Sequence, residues 1–386
     1  MILALFFSLS GFLVTASLQR CKSLISFLGL RVLRIGPALA VETTLSAIII
    51  GSIFTELPLA QYVADPKLHA YFLNIVGDIQ YELPGVFLHN PMPDVVNAQL
   101  WTVPYELWCY VVLALLAVLA GRWLRSLDPV ADFIATYDGH PVLPEGTPEG
   151  MPWWMGWQHF LNMFLMVLII RTGLTVRREK RPTVFWSPRS NPARKISLTL
   201  WFHQSLDILW LVNGVVFVVL LFATGQWMRI VPTSWDVFPN AVSAGLQYLS
   251  LDWPDENGWV YYNALQELSY FVTVFVAAPL AIASGFRMSG MWPKAWSKVP
   301  VGWARAVHFP TMVYFLIFIA VHVFLVATTG LRGNLNAMFA ARDDASGWLG
   351  LILFLLAVAV TAAGWWAARP SVVTPVAQAT GKVTRH

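Results

Sequence analysis

Two histidines, His308 and His322, lie fourteen residues apart within one apolar stretch, residues 307–329. At about 1.5 Å per residue they are separated by roughly 21 Å along a helix, and fourteen steps of about 100° bring both imidazoles to nearly the same face. Imidazole nitrogen is a common ligand of metal ions and of haem iron. The spacing therefore predicts two metal-binding positions at two depths of one helix, as two haems near opposite membrane surfaces require. Buried histidines rescued by a polar neighbour are the open alternative.

The composition places most of the chain in lipid. Of 386 residues, 57% are hydrophobic and 12% are charged, whereas soluble domains carry about 25% charged residues. The net charge of +4 lies in loops beside apolar runs, which indicates membrane topology and argues against a nucleic-acid partner. Cys21 and Cys109 form neither a CxxC nor a CxxCH motif. This excludes covalent c-type haem, a cysteine-ligated cluster and a disulfide framework.

Apolar runs of bilayer-crossing length predict an all-α fold, a polytopic transmembrane helical protein. A weaker candidate at residues 70–89 is interrupted by Asp78, Glu82 and Pro84. The first run lacks a basic leader and a cleavage site, so we expect a retained helix and not a signal peptide. The stronger predicted spans cover residues 2–18, 38–55, 104–121, 157–174, 199–229, 264–286, 304–329 and 347–368.

The connecting loops sort by charge. Residues 19–37, 175–198, 287–303 and the C-terminal tail are basic, and the loops between them are acidic or neutral. The positive-inside rule assigns these four segments to the cytoplasm. Strict alternation then requires residues 70–89 to cross as well. This predicts about nine spans, with the N-terminus outside, in the cell inner (plasma) membrane.

A long polar connection, residues 125–156, is rich in Pro, Gly, Asp and Glu. That composition is typical of a linker between two modules. We therefore predict an N-terminal transmembrane segment over residues 1–124, an extracytoplasmic linker over 125–150, a C-terminal transmembrane domain over 151–370 and a cytoplasmic tail over 371–386.

Four histidines of the C-terminal domain, His159, His203, His308 and His322, lie within or at the mouth of apolar spans. The predicted topology groups them by depth, with His159 and His322 near the outer surface and His203 and His308 near the inner one. This predicts two bis-histidine b haems. Such iron has no open position, so it would transfer electrons and not transform a substrate. No Cys or carboxylate cluster accompanies these histidines, as a zinc site would require. Copper or non-haem iron would need ligands closer together than histidines that lie near opposite leaflets.

Two charged residues are candidates for supporting roles. Asp207 follows His203 by four residues, one turn along the same face, where it could accept the other imidazole N–H or exchange protons with a quinone. Arg305 precedes His308 by three residues and could bind a haem propionate. An interfacial carboxylate and an ordinary positive-inside arginine are the alternatives. Four glycines could admit a flat macrocycle or serve ordinary helix packing: Gly173, Gly214, Gly225 and Gly285.

Residues 150–368 resemble the bacterial di-haem cytochrome b family, which includes the b-type membrane subunits of nickel–iron hydrogenases and formate dehydrogenases. The resemblance lies in WQHFLNMFLMVLIIRTG, LWFHQSLDILW and AVHFPTMVYFLIFIAVHVFLVATTG. It implies a five-helix bundle with two haem b groups, whose axial ligands are the four histidines. It also implies electron transfer between a membrane quinone pool and an extracytoplasmic oxidoreductase subunit. The sequence holds no nickel, molybdopterin or iron–sulfur motif, so that subunit, of hydrogenase or molybdopterin type, would be a separate chain docking on the aromatic and acidic loop around residues 233–263.

Residues 5–121 resemble a different family, the integral membrane acyltransferases that O-acylate cell-surface sugars. The resemblance lies in FFSLSGFLV, RVLRIGP and QLWTVPYELWCY. Arg31 and Arg34 could hold the phosphate of an acyl donor or simply anchor the topology, and Glu106 enters a span directly after Pro104.

This second resemblance predicts an incomplete module. Its preceding helix, with an Arg and a His, is not matched, and neither His69 nor His89 corresponds to that histidine. A membrane O-acyltransferase of cell-surface glycans is therefore the alternative function. The main prediction is an electron-transfer subunit and not a stand-alone enzyme.

Overall fold

The computed structural model describes residues 24–254 and 257–385, without the side chains of residues 24–34 and Lys294. The predicted span 2–18, Cys21 and the side chains of Arg31 and Arg34 therefore lie outside the described part. Most of the described residues are helical, which confirms the all-α prediction. Seven described helices are long and apolar enough to cross a bilayer: Ile35–Phe54, Ala98–Arg125, Trp153–Arg178, Leu198–Ala223, Ala264–Met288, Val301–Thr328 and Leu349–Ala367.

The chain divides into two compact units. The first contains the residues up to Ala131 together with Leu246–Asp252, and the second contains Asp132–Gly245 and Trp253–His386. Helix α6 (Asp128–Thr136) crosses the boundary, within the predicted linker 125–150. In the first unit the helices are α1 (Leu24–Leu45), a π-helical turn (Ser46–Ile50), α2 (Gly51–Phe54), α3 (Leu59–Ala64), α4 (Pro66–Tyr71), two 3₁₀ turns (Phe72–Val76 and Ala98–Thr102) and α5 (Val103–Arg125).

The weak candidate at residues 70–89 was wrong as a membrane span. Its helical part ends at Val76, because Gly77 takes a left-handed conformation with φ of 87°. The chain then turns back, and Leu83 and Val86 are fully buried in a core cluster beside Tyr71. The strict alternation of loops between the two sides of the membrane depended on a crossing at residues 70–89, which the structure does not have. A second correction concerns residues 19–37, which are helical from Leu24 and not a loop.

The second unit consists of long helices with a small sheet at one end. Trp153–Arg178 and Leu198–Ala223 pack along each other, and so do Ala278–Met288 and Val301–Thr328. The elements in chain order are α7 (Trp153–Arg178), β1 (Val184–Pro188), β2 (Ile196–Ser197), α8 (Leu198–Ala223), a 3₁₀ turn (Gln226–Arg229), α9 (Val237–Leu249), α10 (Ala264–Phe271), a π-helical turn (Val272–Ala277), α11 (Ala278–Met288), a 3₁₀ turn (Lys294–Trp296), α12 (Val301–Thr328), α13 (Leu331–Ala340), α14 (Leu349–Ala367), α15 (Pro370–Thr380) and β3 (Gly381–Arg385).

The sheet joins two segments that the charge pattern assigns to the cytoplasm. Strand β1 pairs antiparallel with β2 and with β3, in the order β2-β1-β3. Helix α15 packs against α8 through Val373, Ala377 and Leu198. The C-terminal tail is therefore folded onto the loop that precedes α8. The predicted span 199–229 is shorter, since α8 ends at Ala223 and Gly225 takes a φ of 75°.

An apolar layer fills the middle of the second unit. Met166 of α7, Ala277 of the π-helical turn and Phe315 of α12 are buried there in one cluster, against which Trp210 of α8 packs. Four helical segments thus converge at this depth. The four histidines lie above and below this layer along their helices.

Candidate functional site

His159 of α7 and His322 of α12 face each other. Their ring centroids are 6.1 Å apart, with the planes at 47°. Aromatic side chains fix both rings, since Phe318 stacks parallel to His322 at 5.7 Å and Phe339 of α13 meets His159 edge-on at 5.4 Å. Helices far apart in the sequence therefore bring two imidazoles together.

This outer pair fits an iron between its rings. The Nδ1 atom of His159 is buried and has no hydrogen-bond partner, and an unsatisfied buried polar atom is costly. A metal ion ligated by two histidine nitrogens lies about 2 Å from each of them. The 6.1 Å between the ring centroids of His159 and His322 leaves room for such an ion. The separation of the two rings would therefore fit an iron held between them.

His203 and His308 form the inner set, and each lies against a hydroxyl on a neighbouring helix. The Nδ1 atom of His203 is 2.9 Å from Thr172 Oγ1 on α7, and the Nδ1 atom of His308 is 2.9 Å from Ser284 Oγ on α11. The two imidazoles are also close enough to interact electrostatically. The structure thus places His203 and His308 in matching local surroundings.

Glycines make room for both inner imidazoles. A Cβ atom on Gly173 would lie 3.1 Å from His203 Cε1, and one on Gly285 would lie 3.4 Å from His308 Cε1. Both distances are at or inside ordinary contact, so a larger side chain would displace the ring. The other two glycines differ, because a Cβ on Gly214 would meet nothing within 4 Å and Gly225 lies in a turn beside Pro148.

The structure places Asp207 near His203 and Arg305 at the start of α12. Asp207 Oδ2 is 3.6 Å from His203 Nε2, beyond hydrogen-bond length, and the Nδ1 contact expected of it goes to Thr172 instead. Arg305 is exposed at the start of α12. Its predicted contact with a propionate remains a prediction.

Sequence reasoning missed Thr172 and Ser284. Each directly precedes a glycine that the sequence had singled out, so the dipeptides Thr172–Gly173 and Ser284–Gly285 were a signal that could have been used. It also missed Arg229, which is 1% exposed, donates to the carbonyl oxygens of Gly150 and Gly258, and lies over the ring of Tyr262. Burial raises the pKa of Tyr262.

In the part of the chain that the structure describes, no three His, Cys, Asp or Glu side chains are grouped so that they could hold a metal ion. Zinc sites usually have three or four protein ligands. Two histidines on opposite sides of one iron, with a porphyrin supplying the remaining ligands, need no such group.

The candidate acyltransferase residues lie in the first unit. Tyr110 donates to Glu106 Oε2 at 3.3 Å, one turn along α5. His69 Nε2 contacts the carbonyl oxygen of Val63 at 3.0 Å, and His89 pairs with Glu56 at 3.2 Å. These three side chains have separate local partners.

Comparison with known families supports the cytochrome resemblance of the second unit. Residues 150–341 match the family model of prokaryotic cytochrome b561. The matched region covers just under half of the chain and contains all four histidines. It confirms the resemblance to b-type cytochromes, and it indicates a multi-pass membrane b-type cytochrome that functions in electron transfer.

A second comparison gives a weaker relative. A segment of 111 residues, 28% of the chain, is 29% identical to an "O-acetyl transferase" of Shigella phage Sf6. The matched segment spans about a third of that relative's length, 32%. No solved structure matches the chain. The chain therefore shows a similarity to prokaryotic cytochrome b561 and a weaker one to an O-acetyl transferase.

Proposed function

We propose that the protein binds two b haems and relays electrons between the membrane quinone pool and a separate extracytoplasmic oxidoreductase subunit of molybdopterin or hydrogenase type. His159 and His322 would ligate the outer haem, and His203 and His308 the inner one. The observation that carries the proposal is the facing pair of imidazoles, 6.1 Å apart, on two helices of the cytochrome b561-like region. The proposed location is the cell inner membrane.

The inner haem is supported by the surroundings of His203 and His308. Both rings have an Nδ1 contact to a neighbouring hydroxyl and a glycine beneath Cε1. A bound b haem supplies one-electron chemistry at these positions. The protein's part is to hold the imidazoles, exclude water and set the separation of the two sites along α12.

Quinone access is proposed on the inner side. An apolar cavity of about 310 Å³ opens there between α7, α8, α14 and α15, and is lined by Leu168, Phe202, Ser205 and Leu206 among others. Asp207 lies on the same turn of α8 and is 38% exposed. A partly buried carboxylate beside the inner haem position suits proton exchange with a quinone.

Haem content tests the proposal directly. The purified wild-type protein is expected to give a haem b spectrum at two equivalents per chain. The variants His159→Ala and His203→Ala are each expected to keep one haem, because each removes one ligand of a different pair. His89→Ala, an exposed histidine of the first unit that pairs with Glu56, is the matched control and should keep both haems. A colourless wild-type preparation would overturn the proposal.

The similarity to an O-acetyl transferase supports a second candidate function, acyl transfer to a cell-surface glycan by the first unit. The supporting observation is the 111-residue match. Incubation of the membrane protein with labelled acetyl donor and a glycan acceptor tests it. Label in the glycan that depends on Glu106, assayed with Glu106→Gln, would favour this function, and no transfer above the Glu106→Gln background would dismiss it.

A further inference from the structure

Helices α7 and α11 present the same two-residue arrangement to the two inner histidines. On α7, Thr172 contacts His203 Nδ1 and Gly173 lies beneath the ring. On α11, Ser284 contacts His308 Nδ1 and Gly285 lies beneath the ring. A hydroxyl followed by a glycine thus meets each imidazole, in helices more than a hundred residues apart.

The direction of these hydrogen bonds follows from a count of protons. A hydroxyl group has one hydrogen to donate and two lone pairs that accept. Thr172 Oγ1 lies 2.8 Å from the carbonyl oxygen of Leu168, and Ser284 Oγ lies 2.5 Å from that of Leu280. Since a carbonyl can only accept, the hydroxyl hydrogen is committed to it. The hydroxyl oxygen must then accept from the imidazole, so Nδ1 carries the hydrogen.

A second set of acceptors gives the same direction. The backbone of Ile169 lies within hydrogen-bond reach of the His203 imidazole, and the backbone of Ala281 lies within reach of the His308 imidazole. Ile169 precedes Thr172 by three residues, and Ala281 precedes Ser284 by three. Each Nδ1 atom therefore faces a hydroxyl oxygen, and each imidazole has a backbone carbonyl as a further acceptor.

We propose that Thr172 and Ser284 are positioning residues that hold His203 and His308 in the Nδ1–H tautomer and leave Nε2 free to ligate the inner haem. This rests on the proposed function. It adds which atoms of His203 and His308 bind the haem and which residues orient the two rings. The outer pair differs, because His159 Nδ1 has no hydrogen-bond partner. The inner haem is thus the one whose ligands have fixed tautomers.

The closeness of Asp207 to His203 does not reverse this assignment. At 3.6 Å its carboxylate is beyond hydrogen-bond length from Nε2. His308 has the same kind of hydroxyl contact at its Nδ1 atom. The common arrangement of the two rings therefore lies on the Nδ1 side, where Thr172 and Ser284 are.

Variants that differ by one hydroxyl group test the proposal. Thr172→Ser keeps the hydroxyl group that contacts His203, and Thr172→Ala removes it. Ser284→Ala removes the hydroxyl group that contacts His308 and keeps the rest of the side chain. All are made in a His159→Ala background, so that the inner haem alone contributes to the signal. Thr361→Val is the matched control, because the buried Thr361 hydroxyl donates to the carbonyl of Ala357 in the same i−4 manner on α14.

Three readouts are needed: haem retained per chain, the ferric low-spin EPR spectrum and the midpoint potential. Loss of a partner that orients a metal-bound histidine typically weakens metal binding about 10- to 100-fold. Thr172→Ala and Ser284→Ala are expected to weaken haem retention to this degree, to change the EPR spectrum and to raise the midpoint potential, because the imidazole loses an acceptor that makes it a stronger donor. Thr172→Ser and Thr361→Val should match the background protein.

The outcomes separate this inference from the proposed function. If the background protein holds one haem and both alanine variants match it in all three readouts, the positioning role is wrong while the two-haem proposal stands. If wild-type protein holds no haem, the proposed function fails and this inference fails with it. An alanine variant that retains its haem but shows an altered EPR spectrum, reversed by Thr172→Ser, supports the positioning role.

Discussion

Phe315 meets Trp210 edge-on, with ring centroids 6.1 Å apart and planes at 90°. Trp210 follows His203 by seven residues on α8, and Phe315 lies seven residues from both His308 and His322 on α12. Seven residues are two helical turns, about 10 Å. The aromatic pair therefore lies midway between the two proposed haem positions, and Trp210 is fixed further by its hydrogen bond to Asn162 at 2.7 Å.

Truncation of the Phe315 side chain in the apolar layer should destabilise the second unit without removing a proposed haem ligand. Phe315 is 6% exposed, and a Phe→Ala change at such a site costs about 3–5 kcal/mol. Phe315→Ala is expected to lower the denaturant midpoint measured by loss of the haem Soret band, with haem content at low denaturant unchanged. Phe324→Ala on the same helix, where Phe324 is 39% exposed, is the control and should change little. Equal midpoints for the two variants would show that the layer does not support the fold.

Glycine substitutions should distinguish close approach to a histidine from ordinary helix packing. Gly173→Ala would place a Cβ atom 3.1 Å from His203 Cε1, so we expect loss of one haem and retention of the other. Gly285→Ala should have the same effect more weakly, because the corresponding distance is 3.4 Å. Gly214→Ala is the control, since its Cβ would meet nothing within 4 Å, and alanine is favoured over glycine in a helix by about 1 kcal/mol. Two haems retained in Gly173→Ala would contradict this placement of the His203 ring.

The long helices could be predicted from the sequence because bilayer crossing requires long apolar runs, and these were present. The relative depth of the histidines was also predictable, since helical rise is constant and His308 and His322 share α12. Whether the four histidines bind haem stays a prediction. The prediction of a membrane span at residues 70–89 was wrong because apolar content alone does not distinguish a span from a buried loop. Leu83 and Val86 are buried within the first unit's own core.

Residues Thr172 and Ser284 could have been noticed beside the two glycines, but their contacts to the imidazoles could not be predicted with the same reasoning. Ser and Thr within a membrane helix commonly bond to their own i−4 carbonyl, and Thr172 and Ser284 do so as well. Their second contact depends on which face a neighbouring helix presents. Helix rotation of that kind follows from packing between distant segments, which a single sequence does not specify.

Acid should loosen the connection between α13 and α14. Backbone and side-chain hydrogen bonds from Ser346, and then the backbone N–H of Gly347, hold the pKa of Asp344 below its ordinary value of 3.8. A carboxylate with a lowered folded-state pKa contributes stability above the unfolded value and loses it as the pH falls through the folded value. Asp344→Asn should therefore reduce stability at neutral pH and flatten its dependence on pH below about 4. Hydrogen exchange of residues 342–348 against pH measures this, and the exposed neighbour variant Asp343→Asn should leave the profile unchanged.

A ligand exchange at the outer pair should shift one potential alone. Methionine in place of one histidine ligand raises the potential of a haem, as the Met/His pair does in cytochromes c. His322→Met is expected to raise the midpoint potential of the outer haem and to leave that of the inner haem unchanged. The inner haem keeps both of its proposed ligands, His203 and His308, and these keep their hydroxyl contacts. A redox titration followed by the haem b absorbance band measures both. Since His322 also stacks on Phe318, His322→Leu is the control for lost packing, and it should lose the outer haem rather than shift its potential. Movement of both potentials together in His322→Met would contradict two separately ligated haems.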